Sequence, residues 1–246
     1  MLKKLYKKSE LAFALAWIIA YVVLASAGDN ISADLGIEKI VTLPILIAMS
    51  AILYFFVRKN GLTEKYGLCS PRLPAAKMLC YIPLLLLLTA NLWYGVAMNM
   101  SPLETVLYIL SMFCVGFLEE LIFRGLLFQA MARDGVKTAI IVSSVTFGIG
   151  HIVNLINGSG AEWLPNLLQV MYAMAVGFAF VMIYCRTRSL MPCIIVHSIF
   201  NGLSAFANEA VMTPQRQILS GVLLAVIAGG YALYLALAVK EESATL

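Results

Sequence analysis

Apolar residues fall in long, nearly continuous blocks along this chain, with polar residues confined to short stretches between them. Eight apolar segments result, at residues 11–27, 40–57, 79–97, 103–118, 138–151, 164–184, 191–207 and 218–239. A helix that spans a bilayer needs about 20 residues, with a usual range of about 17–25. The fifth segment is short on this measure, and the fourth continues as helix past its polar end towards Arg133. Helices are the expected form, because each segment must satisfy its own backbone polar groups in lipid. The blocks are also too long and unbroken for the alternating strands of a membrane barrel. The pattern predicts an all-α polytopic membrane protein, a bundle of about eight transmembrane helices in a single domain over residues 1–246.

Composition agrees. Hydrophobic residues make up 62% of the 246 positions and charged residues 12%, against about 45–50% and about 25% in soluble domains. No second large soluble domain fits, and the net charge of +4 is not a nucleic-acid signal. What matters is where the positive charges sit. Of the 17 lysines and arginines, all but Lys39 and Arg216 fall in one set of alternate connections, counting Arg124, which lies within a helix. The positive-inside rule then places both termini in the cytoplasm and supports an even number of spans. The expected location is the plasma membrane of a prokaryote, as a multi-pass protein. The four N-terminal lysines, the run 11–24 and Ala25-Ser26-Ala27 resemble a cleavable signal peptide. The run is long enough to anchor and another span follows soon, so a retained first helix is the preferred reading. The five cysteines form no CxxC pair, and free thiols are expected. The linker 58–77, with Pro71 and Pro74, reads as a cytoplasmic loop or surface helix.

One segment breaks the apolar pattern. Glu119-Glu120-Leu121-Ile122-Phe123-Arg124 puts three charges where the fourth span continues, while only Glu104, at its edge, is charged between 103 and 118. Each ionisable group at membrane depth costs roughly 2.5–3.5 kcal/mol on insertion scales. Chains that keep such groups pair them, wet them or use them. Glu120 and Arg124 are four apart, in the favourable acid-before-base order on one helix face. Glu119 points about 100° away around the helix and is left to meet a different neighbour.

The only two histidines, His151 and His197, also lie in apolar segments. Phe147 and His151 are four apart on the fifth, in Phe-Gly-Ile-Gly-His, where Gly148 and Gly150 would admit another helix backbone. His197 and Asn201 are four apart on the seventh, and both can donate hydrogen bonds. A structural ion pair, an interfacial histidine and interhelical hydrogen bonds would each explain one of these patterns alone. Depth lets them meet: Glu119 is roughly 21 Å from Arg133, His151 roughly 20 Å from Thr138 and Asn201 roughly 20 Å from Arg188 along their helices.

Taken in order, Glu-Glu-x-x-x-Arg, Phe-x-x-x-His and His-x-x-x-Asn on successive apolar helices resemble the CAAX prenyl endopeptidase and bacteriocin-processing family of intramembrane proteases. The resemblance covers roughly residues 102–208, the expected catalytic core. It implies a helical fold with an intramembrane catalytic cavity, where an activated water hydrolyses peptide bonds. By position, Glu119 would be the general base and His151 would help to bind and polarise the water. His197 and Asn201 would stabilise the oxyanion, Glu120 would orient or neutralise Arg124, and Phe147 would line the site.

No Gly-x-Ser-x-Gly elbow surrounds Ser111, Ser143, Ser144 or Ser198, and Cys114 shows no sign of activation. If the reaction used a divalent metal such as zinc, His151, His197 and Glu119 would be its ligands. A reaction without cofactor or metal is preferred, because HExxH is absent and the histidines lie on different helices. The expected partners are the lipid bilayer and a peptide or protein substrate, prenylated or otherwise membrane-associated, and no nucleic acid. Two other classes stay open. Buried Glu, Arg and His also build the relays of proton-coupled transporters, although inverted repeats and paired broken helices are not evident. A non-catalytic membrane scaffold or immunity factor would use the same groups for structure alone.

Overall fold

The structure, a computed structural model, describes residues 2–73, 81–157 and 161–238. Pro74, Lys77, Cys80 and Lys240 of the sequence reading lie outside the described residues. The fold is helical throughout, and the described residues contain one isolated β-bridge, Val96 to Ala207. In chain order the α-helices are α1 (Leu2–Lys8), α2 (Glu10–Asp34), α3 (Thr42–Lys59), α4 (Ile82–Leu88) and α5 (Pro102–Glu120), followed by α6 (Gln129–Ala132), α7 (Val136–Gly150), α8 (Trp163–Thr187), α9 (Met191–Leu203) and α10 (Pro214–Ala238). Among the described residues, six helical stretches are long and apolar enough to cross a membrane: Glu10–Asp34, Thr42–Lys59, Pro102–Ala132, Val136–Leu155, Trp163–Thr187 and Pro214–Leu237. Met191–Phe206 is a shorter apolar helix.

The third apolar segment departs most from a simple span. It forms α4 and a 3-10 turn at Ala90–Leu92. Asn91 then donates from Nδ2 to the Phe200 carbonyl at 2.7 Å, and Gly95, at φ 97°, turns the chain in a conformation that disfavours other residues. Val96 can thus bridge Ala207, and the Ala97 amide donates to the Phe206 carbonyl at 3.0 Å. Both polar side chain and glycine sit inside the apolar run, and they hold the non-helical stretch that follows α4.

The fourth segment does continue, to Ala132, but its middle is not an α-helix. Residues Leu121–Phe128 form a π-helix between α5 and α6, and all eight are buried. π-Helical turns are rare and concentrate at functional sites. Here the change in winding begins directly after the glutamate pair and contains Arg124. At the other end of α5, Ser101 and Glu104 form a reciprocal capping box that fixes where the helix starts.

Lipid offers no hydrophobic drive between helices, so close packing at small residues has to bring them together. Gly116 on α5 lies under Ser198 on α9: an added Cβ would be 2.3 Å from Ser198 Oγ and 2.8 Å from its amide. That contact is one helical turn before the glutamates and one residue after His197, so it sets their separation. Gly148 on α7 meets Met174 and Val170 of α8, and Gly177 of α8 meets Ser144 of α7. Gly150 touches nothing; it lines a cavity instead of a helix contact.

One end of the bundle is closed by aromatics. Phe13 stacks on Phe56 with centroids 4.9 Å apart, and Tyr6 meets both edge-on. Above them Glu10 accepts from Lys65 Nζ at 2.6 and 2.7 Å and from Arg133 Nη2 at 2.9 Å, tying α2, the loop after α3 and the end of α6. The Tyr66 hydroxyl donates to that of Tyr6, and burial pushes its pKa far above the ordinary value. Beyond the end of α3 at Lys59, the described part of the 58–77 linker is thus a packed loop. Cys69, Cys114 and Cys193 are free thiols, and burial raises the pKa of Cys69, in that loop.

Candidate active site

Each sequence-predicted group has a place in one buried centre. Glu120, at the end of α5, is fully buried and its Oε1 accepts two hydrogen bonds, from Arg124 Nη1 at 3.1 Å and from His197 Nδ1 at 2.8 Å. The Arg124 guanidinium, also fully buried, lies 3.9 Å from the centre of the Phe147 ring. A guanidinium over an aromatic face gains about 2 kcal/mol or more when desolvated, which partly offsets its removal from water. Phe147 also meets His151 and His197 edge-on, with centroids at 5.2 and 5.8 Å. It holds the cluster together from the middle.

Glu119 is wired differently. Its Oε1 accepts from the Tyr21 hydroxyl of α2 at 2.7 Å. Its Oε2 has no hydrogen-bond partner among the described residues and lies 3.6 Å from His197 Nε2. Glu120 Oε2 is likewise without a partner among the described residues; the neighbouring carboxylates differ in that Glu120 is fully buried beside Arg124, while Glu119 lines a cavity.

His151 closes α7 and opens a 3-10 turn, His151–Leu155. Its Nδ1 lies 3.0 Å from the Phe147 carbonyl oxygen. A carbonyl can only accept, so Nδ1 carries the hydrogen and, in the neutral ring, Nε2 keeps its lone pair. Asn166 of α8 donates to the His151 carbonyl at 2.8 Å and steadies the turn.

Two cavities meet here, sharing Phe147, His151, Gln169 and Asn201 in their walls. The larger, about 290 Å³, reaches Tyr21, Asp29, Lys39, Glu119 and Asn154. The smaller, about 50 Å³, runs past His197 between Leu87, Val176, Phe180, Phe200 and Leu224. At the mouth of the larger one Lys39 Nζ donates to Asp29 at 2.8 Å, and Thr42 donates to the same carboxylate oxygen at 2.6 Å. Burial pulls the Lys39 ammonium down, but the Asp29 carboxylate, helped by Glu38, carries its pKa above the ordinary value.

All seven motif residues, Glu119, Glu120, Arg124, Phe147, His151, His197 and Asn201, therefore surround one centre. Sequence reasoning did not find Tyr21 or Gln169. Both are polar groups inside apolar segments, a weak signal that becomes informative only once helix neighbours are known. Among the described residues, no three His, Cys, Asp or Glu side chains are grouped to hold a metal ion.

Fold and site together define a polytopic helical membrane protein with a carboxylate–histidine–arginine centre at bilayer depth. Residues 101–203 match the family described as type II CAAX prenyl endopeptidase, Rce1-like, a family of membrane endopeptidases and the same one that the three motifs resemble. The match takes in every motif residue and covers less than half of the chain; Tyr21 lies outside it. No curated protein and no solved structure matches the chain.

Proposed function

We propose that this protein is an intramembrane endopeptidase that hydrolyses a peptide bond with a water activated by Glu119. The observation that carries the reading is the unequal wiring of the two glutamates. Glu120 is fully buried, ion-paired with Arg124 and hydrogen-bonded by His197, and lines neither cavity. Glu119 keeps an oxygen uncommitted on the cavity that also holds His151 and Asn201.

The chemistry follows from who can donate and who can accept. Glu119 Oε2 and His151 Nε2 are both acceptors, so a water between them gives up its two hydrogens and turns a lone pair outward. As the water oxygen attacks the scissile carbonyl carbon, Glu119 takes its proton. The carbonyl π electrons move to oxygen, and the Asn201 amide donates to the oxyanion that forms, joined by His197 Nε2 in the ring form that carries a hydrogen on both nitrogens, Nδ1 being held by Glu120. His197 is held for this by the Nδ1 bond to Glu120. When the intermediate collapses, the C–N bond breaks and Glu119 returns its proton to the leaving amine. The products are a carboxyl group and an amine, and no step calls for a metal or cofactor.

The substrate is a peptide or protein associated with the membrane. An apolar residue beside its scissile bond fits the smaller cavity, whose walls are mostly alkyl and aromatic. Both termini and the basic loops lie in the cytoplasm by the positive-inside rule, with the chain in the plasma membrane of a prokaryotic cell. The test is Glu119→Gln in purified protein, scored with a cleavable membrane peptide. General-base removal lowers kcat by about 10²–10⁴-fold while thermal unfolding in detergent stays put. Unchanged turnover would sink the assignment, and flux of a solute driven by a proton gradient would put a transporter in its place.

A further inference from the structure

The two ends of the bundle are unlike, and the larger cavity joins Glu119 to one of them. At the first end lie Lys3, Lys4, Lys7, Lys8, the Arg58–Arg72 loop, Arg133, Lys137, Arg186 and Arg188. That end is knitted shut: the Arg72 amide donates to the Thr187 carbonyl at 3.0 Å, Leu190 to Gly67 at 2.7 Å, and Gln129 to Tyr184 at 2.7 Å. Between it and the glutamates stand Leu121, Ile122, Leu126, Leu127 and Phe128, none more than 3% exposed. Neither of the two cavities crosses this layer.

The second end is built from the last turns of α2, α7 and α9 and the first turns of α3, α5 and α8. Its own bonds identify it, for the Glu38 amide donates to Glu104 at 3.1 Å and Asn99 donates to the Ala207 carbonyl at 2.8 Å. The large cavity rises from Glu119 and Tyr21 past Gly150 and Asn154 to Asp29, Lys39 and Asn157, all at this end. From Tyr21 to Asp34 the helix rises roughly 20 Å, so the opening leads from mid-bilayer to the surface. Asp29 lines the opening, and Asp34, Glu38, Glu104, Glu162 and Glu209 lie at the same end of the bundle, against only Lys39 and Arg216 among the described basic residues. A surface so poor in lysine and arginine is the one that the positive-inside rule assigns away from the cytoplasm.

We propose that the substrate enters from the extracytoplasmic face, as an exported peptide or the outward segment of a membrane-anchored polypeptide, with neutral or basic residues at the acidic rim. This rests on the endopeptidase reading for its substrate class but not for its geometry. A tail presented in the cytoplasm would have to pass the packed layer of the π-helix to be cut.

Accessibility tests the geometry without any need for turnover. Asn157→Cys at the rim, Glu119→Cys at the site and Lys137→Cys at the basic end are placed in protein lacking its five native cysteines. Each is exposed to a membrane-impermeant, thiol-reactive reagent in right-side-out and in inverted vesicles. Asn157→Cys and Glu119→Cys should react in right-side-out vesicles and Lys137→Cys only in inverted ones. The opposite pattern, or absence of reaction at both Asn157→Cys and Glu119→Cys, overturns the proposal. If Glu119→Cys fails to accumulate, Asn154→Cys within the same cavity replaces it. Terminal peptides from cells carrying wild-type protein or Glu119→Gln then separate the two ideas. Glu119-dependent cuts in extracytoplasmic segments support both. Cuts in cytoplasmic segments overturn outward entry and leave the peptidase standing. Cutting unchanged by Glu119→Gln removes the peptidase, and the labelling pattern still decides which face is open.

Discussion

The two cavities that share Phe147, His151, Gln169 and Asn201 differ in what the rest of their walls offer. The larger is walled by α2, α3 and the turn after α7, which contribute a tyrosine, a bonded Asp29–Lys39 pair and side-chain amides. The smaller is walled by α4, α8, α9 and α10, which contribute alkyl and aromatic groups around His197. Water can be held in the first by several polar partners and has few in the second. A hydrolase needs both conditions side by side: water delivered to one face of a peptide bond, and a dry surface to hold the residue beside it. The shared residues are the seam where the two meet, and His151 and Asn201 sit on it.

The largest effect expected from this division is on folding. Glu120 belongs to neither cavity; it is the fully buried counter-charge for Arg124 and the acceptor for His197. Replacing one partner of a buried pair costs about 3–5 kcal/mol, because the other charge is left uncompensated. Glu120→Gln should therefore lower thermal stability in detergent steeply, together with activity, whereas Glu119→Gln alters activity alone. Equal stability of the two variants would erase the distinction between tether and base.

The next effect is smaller and separates α2 from the matched core. Tyr21 donates to the oxygen of Glu119 that the water does not use. A hydrogen bond to a charged group contributes about 1.5–3 kcal/mol, and each 1.36 kcal/mol is about tenfold in rate. Tyr21→Phe should lower kcat by about 10–100-fold and leave KM nearly unchanged, as a residue that positions the base would. A change confined to KM would make Tyr21 part of the substrate-binding wall instead.

Much of this site was legible in the sequence because its signals are local. Charges inside an apolar span stand out against their neighbours, and spacings of four place Glu120 with Arg124, Phe147 with His151, and His197 with Asn201. Helix rise alone allowed these groups a common depth. What was not legible depends on contacts between distant residues. Tyr21 meets Glu119 across 98 positions, and nothing within its own span marks it. The π-helix at Leu121–Phe128 follows from packing around Arg124, which apolar periodicity does not encode. The third apolar segment looked like a span because hydropathy weighs composition; its α-helix stops at Leu88, and Asn91 and Gly95 hold the turn that follows through a hydrogen bond and a backbone angle. Of the two glycines before His151, Gly148 carries a helix contact and Gly150 carries none, a difference set by which face α8 covers.

The smallest effect sharpens the comparison most, since it should touch selectivity and little else. Val176 of α8 lines the apolar cavity, and Asn154 lines the polar one. One methylene in an apolar pocket changes discrimination by about 1–3 kcal/mol, or about 10–200-fold. Val176→Ala enlarges a space of only about 50 Å³, so it should raise relative kcat/KM for peptides with a bulkier apolar residue beside the cut. Asn154→Ala, by contrast, should leave that ratio unchanged while weakening binding of all peptides alike. Competition between two peptides that differ only in that residue reads the ratio directly. If Asn154→Ala shifts the preference and Val176→Ala does not, the side chain beside the scissile bond occupies the polar cavity, and the assignment of wet and dry sides has to be reversed.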